Sequence, residues 1–512
     1  MLNKFQRILI AFAVSQIIPT SSFAAIIEVN SISDTRVVNG CTLRDAIIAA
    51  ETDAIVAACT AGNGTDTIDL TGLPDNSTII ISSRLPDISS SISINGRGPD
   101  MLSISGSAQT AFIDSGILNI TEDGELNLSS LTLTLTPDTA IRARFAALTL
   151  NSVSITNNSA FFGGAIDSSN SSISIFNSTL SNNSAVGNGG AINSNDSDIV
   201  ISNSTLSENF ITGQPNLFGI ELTGGGIRSN NDSLLIRNSI LSGNSALVSG
   251  GAIGSFSGSI TIENSTLVNN SARSGGAINA DRGTININKR SLTQNNASAG
   301  NGGGIISFSA FLNINNSTLS GNSASMNGGG MSTSFSSITI NHSTITENIA
   351  DNIGSGIATS DISLIVSNSI ISGNNSSSVP EGAEVFAQGA ITTINNILGF
   401  NQLSNFSAFA GFLPDATNIV ATSDEQNIAL DQIINPLADN GGNNFTHSLP
   451  ENSPAFNASN NIDCPEEDQR GLPRNDGQCD IGAFEGDSDQ TLEDENFFVI
   501  PIKNGKPIIF SL

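Results

Sequence analysis

Tryptophan and tyrosine are both absent from this 512-residue chain, and only two histidines, His342 and His447, are present. Enzymes that cleave polysaccharides usually stack sugar rings on tryptophan or tyrosine. The absence of both counts against an enzyme of this class without excluding it. Basic residues are scarce as well: 18 Lys and Arg stand against 46 Asp and Glu, a formal net charge of −28. This charge makes nucleic acids and anionic membrane surfaces poor partners.

Cysteine is also rare, with Cys41, Cys59, Cys464 and Cys479 forming two close pairs near opposite ends of the chain. Four cysteines allow three pairings. Pairing within each close pair is favoured, because each bond would close a short local loop, and the N-terminal residues described below predict export. Zinc binding is the weaker alternative, since the chain has no Cys-x-x-Cys phrase and its histidines lack finger-like spacing.

One phrase returns between about residues 158 and 401: Asn-Ser-Thr-Leu-Ser-x-Asn-Ser-Ala, followed by Gly-Gly-Ala-Ile. The apolar residue closing the glycine phrase advances in steps of 26, 35, 26, 25, 27, 26 and 26 residues. It is found at Ile166, Ile192, Ile227, Ile253, Ile278, Ile305, Met331 and Ile357. The Asn closing the Leu-Ser-x-Asn phrase keeps the same spacing and is found at Asn158, Asn183, Asn209, Asn244, Asn270, Asn295, Asn322, Asn348, Asn374 and Asn401. Two markers with one spacing define an internal repeat.

The repeat predicts an all-β fold, a parallel β-solenoid with one repeat per coil. Apolar residues alternate over short runs rich in Ile, Val and Thr, which is typical of strands with one buried face. Asn, Gly and Ser separate these runs and tolerate the backbone of tight corners. Successive coils would lie roughly 4.8 Å apart, so the recurring isoleucines would stack, and the corner asparagines would form an amide ladder.

The Gly-Gly-Ala-Ile and Leu-Ser-x-Asn phrases resemble the repeats of polymorphic outer-membrane proteins and, more broadly, of bacterial right-handed parallel β-helix surface proteins. The resemblance covers about half of the chain. It implies a right-handed, single-stranded β-helix, which the spacing alone does not show.

The N-terminal residues 1–24 combine Lys4 and Arg7, an apolar run and a small-residue ending at Ala24, which predicts a secretory signal peptide. Residues 25–78 are expected to form a cap. Thr42 and Asp45 begin a short amphipathic helix that would cover the first coil. Residues 41–47, Cys-Thr-Leu-Arg-Asp-Ala-Ile, resemble the Cys-Ser-Leu-Arg-Glu-Ala domain of secreted bacterial β-helix proteins. That family implies a structural cap with no chemistry.

The β-helix repeats are assigned to residues 79–401, with an insertion of about nine residues after Asn209 that carries Ile211, Leu217, Phe218, Ile220 and Leu222. The insertion is expected to fold back on the rod or to contact a partner. Residues 402–486 contain Pro-Leu-Ala-Asp-Asn-Gly-Gly and Cys-Asp-Ile-Gly-Ala-Phe-Glu and resemble the choice-of-anchor Q domain, which would close the last coil. Residues 487–512 are acidic and then apolar, as in an anchoring segment or a docked hairpin.

No set of residues for catalysis is apparent. His342 replaces the usual Asn of a corner, and His447 is expected to be a packed structural residue. The segment from Asp463 to Arg470 carries Asp463, Glu466, Glu467 and Asp468 and is the best candidate for a bound cation. It matches no calcium loop, so a solvated turn with an internal Asp–Arg pair is expected instead. Acidic residues of the repeats appear scattered: Asp167, Asp196, Asp198, Glu208, Glu221, Asp232, Glu263, Asp281, Glu347, Asp351 and Asp361. We therefore expect no catalytic residues, no metal site and no cofactor.

These observations favour a secreted or cell-surface structural, adhesin-like protein without catalysis, located outside the cell or at the bacterial outer membrane. Its partners would be surface proteins or glycans of a host or the environment, and its C-terminal end would provide attachment. After signal cleavage no transmembrane helix is expected. The alternative is a polysaccharide lyase or glycoside hydrolase acting on extracellular glycans, which would need convergent carboxylates in one cleft.

Overall fold

The repeating unit folds into four short strands joined by tight corners. In the computed structural model, which describes residues 24–107, 116–214, 221–360, 362–378, 382–442, 444–461, 464–474 and 477–486, one coil begins at Ile166. Its strands are Ile166–Ser169, Ser172–Phe176, Thr179–Ser181 and Ser184–Ala185. The corners between them have positive φ, which Asn adopts more readily than most residues. The φ values are 50° at Asn170, 49° at Asn177 and 54° at Asn182.

Equivalent strands of successive coils pair in parallel and form four columns, which we number 1 to 4 in the order of the coil. Column 1 contains Leu118–Ile120, Ile141–Arg144, Ile166–Ser169, Ile192–Asn195, Ile227–Asn230, Met331–Ser334, Ile357–Ser360, Val385–Ala387 and Phe409–Ala410. Column 2 contains Ile26–Glu28, Asp66–Asp69, Ser91–Asn95, Glu125–Ser129, Ala147–Asn151, Ser172–Phe176, Asp198–Ser202, Ser233–Arg237, Ser337–Asn341, Ser363–Ser367 and Ala390–Ile394. Three strands run through both columns: Ile253–Glu263, Ile278–Asn288 and Ile305–Asn315.

Columns 1 and 2 share one 23-stranded sheet, and column 3 is a separate sheet of 14 strands. Column 3 contains Ser77–Ile81, Leu102–Gly106, Thr132–Thr134, Ser154–Thr156, Thr179–Ser181, Thr205–Ser207, Ile240–Ser242, Thr266–Val268, Ser291–Thr293, Thr318–Ser320, Thr344–Thr346, Ile370–Ile371, Ile397–Leu398 and Ile419–Val420. Column 4 contains Ser159–Ala160, Ser184–Ala185, Phe210–Ile211, Ser271–Ala272, Asn296–Ala297, Ser323–Ala324, Ile349–Ala350 and Asn375–Ser376. The prediction of an all-β, right-handed parallel β-helix is confirmed, with about 13 turns.

The recurring apolar residues form a single file inside column 1. Ile166 pairs with Ile192, Ile192 with Ile227, and Ile227 with Ile253. The file continues through Ile278, Ile305, Met331 and Ile357. All eight side chains are fully buried. Because every coil contributes the same inward position, one continuous apolar core runs through the rod.

The corner asparagines form a second file, which we call the asparagine row. Each member except the last donates its backbone N–H and its Nδ2 to Oδ1 of the next member; for Asn183 and Asn209 these distances are 3.0 and 3.1 Å. Each Nδ2 also donates to a backbone carbonyl inside the coil. The members are Asn158, Asn183, Asn209, Asn244, Asn270, Asn295, Asn322, Asn348 and Asn374. The row satisfies buried polar groups that the corners would otherwise leave unpaired.

A helix covers the N-terminal end of the rod, as the sequence predicts. It spans Leu43–Thr52, and its N-cap Thr42 accepts the Asp45 N–H at 3.1 Å. Leu43, Ala46, Ile47 and Ala50 face the core and are buried. The Cys41–Cys59 disulfide ties this helix to the segment that follows it. The open edge of the first coil is thereby covered, which protects it from pairing with another chain.

The C-terminal segment does more than close the last coil. Short helices at Asn405–Ala408 and Leu430–Ile433 end the rod. The described residues of 435–486, which we call the flank module, turn back along the outside of column 3. An antiparallel pair, Leu437–Ala438 with Thr446–His447, lies within this module, and so does the Cys464–Cys479 disulfide. Both predicted disulfides are present.

Polar contacts hold the flank module against five successive coils. Thr266 Oγ1 donates to Asn444 Oδ1 at 2.7 Å, and Thr318 Oγ1 donates to Gln469 Oε1 at 2.6 Å. At the far end, the Gly482 N–H donates to the Asn368 carbonyl at 2.9 Å. The outward Ser and Thr side chains of column 3 are buried in the three contacted strands Ser291–Thr293, Thr318–Ser320 and Thr344–Thr346, whereas they are half-buried in Thr179–Ser181. The sequence gives no periodic signal for this contact, because it joins segments about 115 to 180 residues apart.

The described part of the insertion lies on the flank of column 4. Ile211 and Leu222 are buried in a small cluster with Ala185, Ala246 and Ala272. Leu217, Phe218 and Ile220 lie outside the described residues, as do the signal-peptide segment up to residue 23 and the tail 487–512. Among the helices that are described, none combines the length and apolarity needed to cross a membrane.

Candidate functional site

The outward positions of columns 1 and 2, and the corner between them, are where this rod differs from coil to coil. A groove of about 920 Å³ follows that corner over several coils. We call it the acidic groove. Its lining consists of small polar residues, glycine, alanine, Phe145 and five carboxylates, namely Asp123, Glu125, Asp196, Asp198 and Asp232. The solenoid places these five acids along one groove although they span more than one hundred residues, and Asp196, Asp198 and Asp232 are three of the acids that appear scattered in the sequence.

The strand register gives the spacing of the carboxylates along the groove. Glu125 and Asp198 occupy the same position of column 2, with Ala147 and Ser172 between them. Three coil steps of about 4.8 Å separate the two by roughly 14 Å. Carboxyl pairs in glycosidases lie roughly 5 to 9.5 Å apart, so this pair is too widely spaced for that role.

Asp232 is the most unusual acid of the groove, because its side chain is only 3% exposed. Its Oδ1 accepts the Ser197 N–H at 2.7 Å, and its Oδ2 accepts the Asn230 N–H at 3.1 Å. Burial raises the pKa of Asp232 to about 6, and the hydrogen bonds act in the opposite direction. Asp232 stands where other coils place Ser171 and Ser197, whose hydroxyls accept the same kind of backbone bond.

A second cavity, of about 360 Å³, lies farther along column 1, and we call it the aromatic cleft. One wall is a row of outward side chains at paired positions of successive coils, Phe256, Asp281 and Phe308. The opposite wall comes from the loops before the glycine phrases. The remaining lining residues are Glu221, Thr223, Arg228, Val248, Ser249, Gly254, Ser255 and Asn279.

Gly254 lines the aromatic cleft where the opposite wall meets the strand. It pairs in register with Arg228 on one side and with Asn279 on the other. A Cβ on Gly254 would lie 2.9 Å from both the Gly224 nitrogen and the Thr223 Cβ, which is closer than real contacts allow. The absence of a side chain there lets the Thr223–Gly224 loop pack closely against the strand.

The charges of the aromatic cleft are balanced. Arg228 donates from Nη1 to Asn195 Oδ1 at 2.6 Å, and burial lowers the pKa of its guanidinium while Glu221 and Asp232 raise it. Arg282 lies over the Phe256 ring at 4.1 Å and is 3.4 Å from Asp281. Arg228 therefore lines the cavity together with two carboxylates, Glu221 and Asp281, and Arg282 lies next to it, against Phe256 and Asp281.

The two histidines lie in structural positions. His342 is buried at the corner between columns 2 and 3 with φ 43°, at the position of Asn316 and Asn368 in neighbouring coils. His447 joins the flank module to the rod: Nδ1 lies 2.8 Å from the Asn435 carbonyl, and Nε2 lies 2.9 Å from Ser320 Oγ. Burial lowers the pKa of His447, while Asn435 and Glu347 raise it.

The Asp–Arg pair of the C-terminal region is not solvated, which corrects the sequence-based expectation. Asp468 is fully buried and accepts Arg470 Nε at 2.8 Å. Arg470 stacks on Phe484 at 3.7 Å. Asp463 lies outside the described residues. Within the described ranges, no group of three or more His, Cys, Asp or Glu side chains could hold a metal ion.

Sequence reasoning missed the aromatic cleft and the grouping of the groove acids. A signal was available, because Phe256 and Phe308 occupy the repeat position that other coils fill with Ser169, Asn195 or Asn230. Aligning the units by their isoleucines would have shown these outward substitutions. The cleft also depends on Glu221, which comes from the irregular 35-residue unit and has no counterpart in the other coils.

No protein-family profile matches the chain, and a search of curated proteins finds none similar in sequence. Among solved structures, the chain is similar to the A-module of the Azotobacter vinelandii mannuronan C-5 epimerase AlgE6. That match has 13% identity and a TM-score of 0.36, and it covers 69% of this chain and 94% of that one.

Two further matches are proteins of other kinds. Tailspike protein 3 of bacteriophage CBA120 has 12% identity and a TM-score of 0.36, over 68% of this chain and 57% of that one. The Streptococcus pneumoniae surface adhesin PfbA has 10% identity and a TM-score of 0.27, over 66% and 85%. At these identities the likeness concerns the fold alone.

Proposed function

We propose that this chain is a secreted, cell-surface rod that binds extracellular surfaces in the manner of an adhesin and catalyses no reaction. The observation that carries the proposal is the contrast between the two faces of the sheet. The inward positions repeat from coil to coil, while the outward positions of columns 1 and 2 change. A repeating core with a varied lateral surface is how solenoid proteins build extended binding faces.

The disulfide bonds support export of the chain, which the proposed function requires. Both close pairs are disulfide-bonded, and disulfides persist in oxidising compartments outside the cytosol. We propose cleavage of a signal peptide after Ala24, and surface attachment through the C-terminal end. The resemblances to the Cys-Ser-Leu-Arg-Glu-Ala and choice-of-anchor Q domains belong to the same proposal.

A binding and fractionation experiment tests this function. The chain is expressed with its N-terminal residues, and its N-terminus is sequenced from the medium and from outer-membrane fractions. The mature chain is then applied to immobilised extracellular polymers and to intact cells. We expect a chain beginning at Ala25 and saturable binding without turnover. Retention in the cytosol, or release of new reducing ends or unsaturated uronates from a bound polymer, would refute the proposal.

A second candidate, a polysaccharide-active enzyme, is favoured by one specific feature. Asp232 has a pKa raised to about 6 and lines an open groove next to Asp196 and Asp198. A carboxyl group with a raised pKa in a cleft is typical of a general acid. This candidate requires a measurable activity on a polysaccharide. The substitution Asp232→Asn should abolish that activity, and the control Glu122→Gln, at an exposed site beside the groove, should leave it unchanged.

A further inference from the structure

The aromatic cleft has the features of a small-ligand site, although nothing in the repeat requires it. We infer that it binds a neutral saccharide unit of the polymer on which the rod docks. This inference rests on the proposed function, because it names the ligand class that a binding rod would recognise. Its cavity of about 360 Å³ lies at the small end of the range for ligand pockets, roughly 300–1,000 Å³.

Ring contacts provide the apolar part of the recognition. Phe308 is 49% exposed and packs edge-on against Phe335, with ring centroids 5.3 Å apart, and Phe335 is 61% exposed. This packing orients the Phe308 ring while leaving much of its surface open. An exposed aromatic surface of this kind accepts the C–H face of a sugar ring, and here phenylalanine takes the role that Trp and Tyr have elsewhere.

Hydrogen-bonding groups lie around the same cavity. Asn279 offers both a donor and an acceptor, Glu221 and Asp281 offer acceptors, and Arg228 offers donors. Planar groups of these types can bind two neighbouring hydroxyls at once. The rigid strand register holds Phe308, Asp281 and Asn279 on two adjacent coils, which preorganises the site before the ligand arrives.

The balance of charge selects against acidic sugars. Glu221 and Asp281 offset Arg228 and Arg282, and the chain as a whole carries −28. A polyuronate would approach a strongly negative rod and meet carboxylates in the cleft, so electrostatic repulsion would oppose its binding. A neutral hexose polymer has no such penalty, and its hydroxyls match the mixed donors and acceptors.

The 35-residue repeat unit, which contains the insertion, contributes residues to this proposed site. The longest repeat step, 35 residues, ends at Ile227, and the end of its insertion places Glu221 and Thr223 at the cleft. The buried Leu222 between them anchors this wall to the cluster around Ala185 and Ala246. The extra residues therefore build one side of a site that a regular coil would leave open.

The test measures binding of the mature chain to neutral and acidic polymers. Affinity electrophoresis in gels containing a neutral glucan, a neutral mannan or a polyuronate ranks the polymers, and calorimetry with oligosaccharides of the best one gives the dissociation constant. Phe308→Ala and Asn279→Ala are compared with Phe161→Ala, an exposed phenylalanine outside both cavities. Phe308→Leu separates ring stacking from bulk, and melting temperatures check the fold.

We expect retardation by a neutral polymer and affinities at least tenfold weaker for Phe308→Ala, Phe308→Leu and Asn279→Ala, with Phe161→Ala unchanged. If the wild-type chain binds cells or polymers and the cleft variants bind equally well, the cleft assignment is wrong while the adhesin-like function stands. Preferential binding of the polyuronate also overturns the assignment. If the wild-type chain binds no polymer and no surface, both proposals fail.

Discussion

At the scale of single residues, the asparagine row ends on a buried carboxylate. Glu384 is fully buried and accepts the Gly373 N–H at 2.8 Å and Asn374 Nδ2 at 2.6 Å. Its carboxylate takes the place that a further asparagine would occupy. Burial raises the pKa of Glu384 to about 7, although the bonds from Asn374 and Gly373 favour the charged form.

Glu384→Gln tests this arrangement. Because the folded pKa lies above the value of 4.5 in the unfolded chain, the folded state holds its proton more tightly between pH 4.5 and 7. Stability from Glu384 is therefore present below pH 4.5 and is lost as pH rises to 7, by about 3 kcal/mol at most. We expect the free energy of unfolding of the variant, measured with urea, to fall less between pH 4.5 and 7 than that of the wild-type chain. The control Glu122→Gln, at an exposed site, should show the same fall as the wild-type chain. If the free energy of unfolding changed equally with pH in both variants, the assignment would be contradicted.

Ile253→Asp tests the apolar file. The Ile253 side chain is fully buried between Ile227 and Ile278, so the substitution would bury a carboxylate without a partner. We expect a loss of more than about 4 kcal/mol or a failure to fold. The matched control is Thr261→Asp, on an outward position of the same strand, where a change below about 1 kcal/mol is expected. An unchanged melting temperature for Ile253→Asp would exclude this packing.

At the scale of elements, the flank module contacts the rod in two ways. Its apolar side chains Leu449, Ala455, Ile481 and Phe484 pack with Ile370 and Ile397 of the rod. The module also forms polar contacts with the earlier coils. Gln469 lies at its centre: Nε2 donates to Ser291 Oγ at 2.9 Å, and Oε1 accepts Thr318 Oγ1 at 2.6 Å. One amide thus bridges two neighbouring coils. Because Gln469 is only 2% exposed, water cannot replace the bonds that its removal would break.

Gln469→Ala should release the module before the coils unfold. We expect about 2–3 kcal/mol less stability for the docked module, since the Ser291 and Thr318 hydroxyls lose their buried partner. Hydrogen exchange should rise in residues 444–486 and stay slow in coils such as 166–191. The exposed Gln426→Ala is the control. Simultaneous exchange of the module and those coils would show that they unfold as one unit.

The fold was predictable from the sequence to the extent that it repeats. Ile166 and its equivalents recur because every coil must fill the same position of the core with a side chain of similar volume. Their spacing in the sequence therefore gives the register of the paired strands. Asp232, Phe256 and Phe308 are single departures on the outward face, where no packing constraint demands a pattern. Their proximity depends on register, and it becomes visible only when coils are aligned. Contacts of the flank module, such as Thr266 with Asn444, are unique pairs that no periodicity can signal.

At the scale of the whole molecule, three buried acids with raised pKa values lead us to expect that the chain is most stable below neutral pH. The pKa values of Asp232, Glu384 and Glu485 are raised, chiefly by burial, to about 6, 7 and 7. Each therefore contributes stability at low pH that is lost as pH rises through its window. His447 acts in the opposite sense: its pKa is lowered, so its contribution is lost as pH falls below about 6.5. General repulsion in a chain of charge −28 adds to the effect of the acids.

Calorimetry between pH 5 and 8 checks this balance. We expect the melting temperature to fall as pH rises from 5 to 7.5, and added salt to recover part of the loss at pH 7.5 by screening the repulsion. In Glu384→Gln the fall should be smaller, whereas salt should act as in the wild-type chain. A melting temperature that increases steadily from pH 5 to 8 would mean that His447 and the surface pairs outweigh the three acids.

The position of the flank module also determines which part of the rod can change in length. The module bonds to the coils from Thr266 to Asn368 and therefore requires a set number of turns there. Turns before Thr266 carry no such requirement, since each contacts only its neighbours. Removing residues 166–191 would join Ala165 directly to Ile192, keep the inward file in phase and shorten the rod by about 4.8 Å. Duplication of that unit would extend the reach of the protein by the same increment, without disturbing either end.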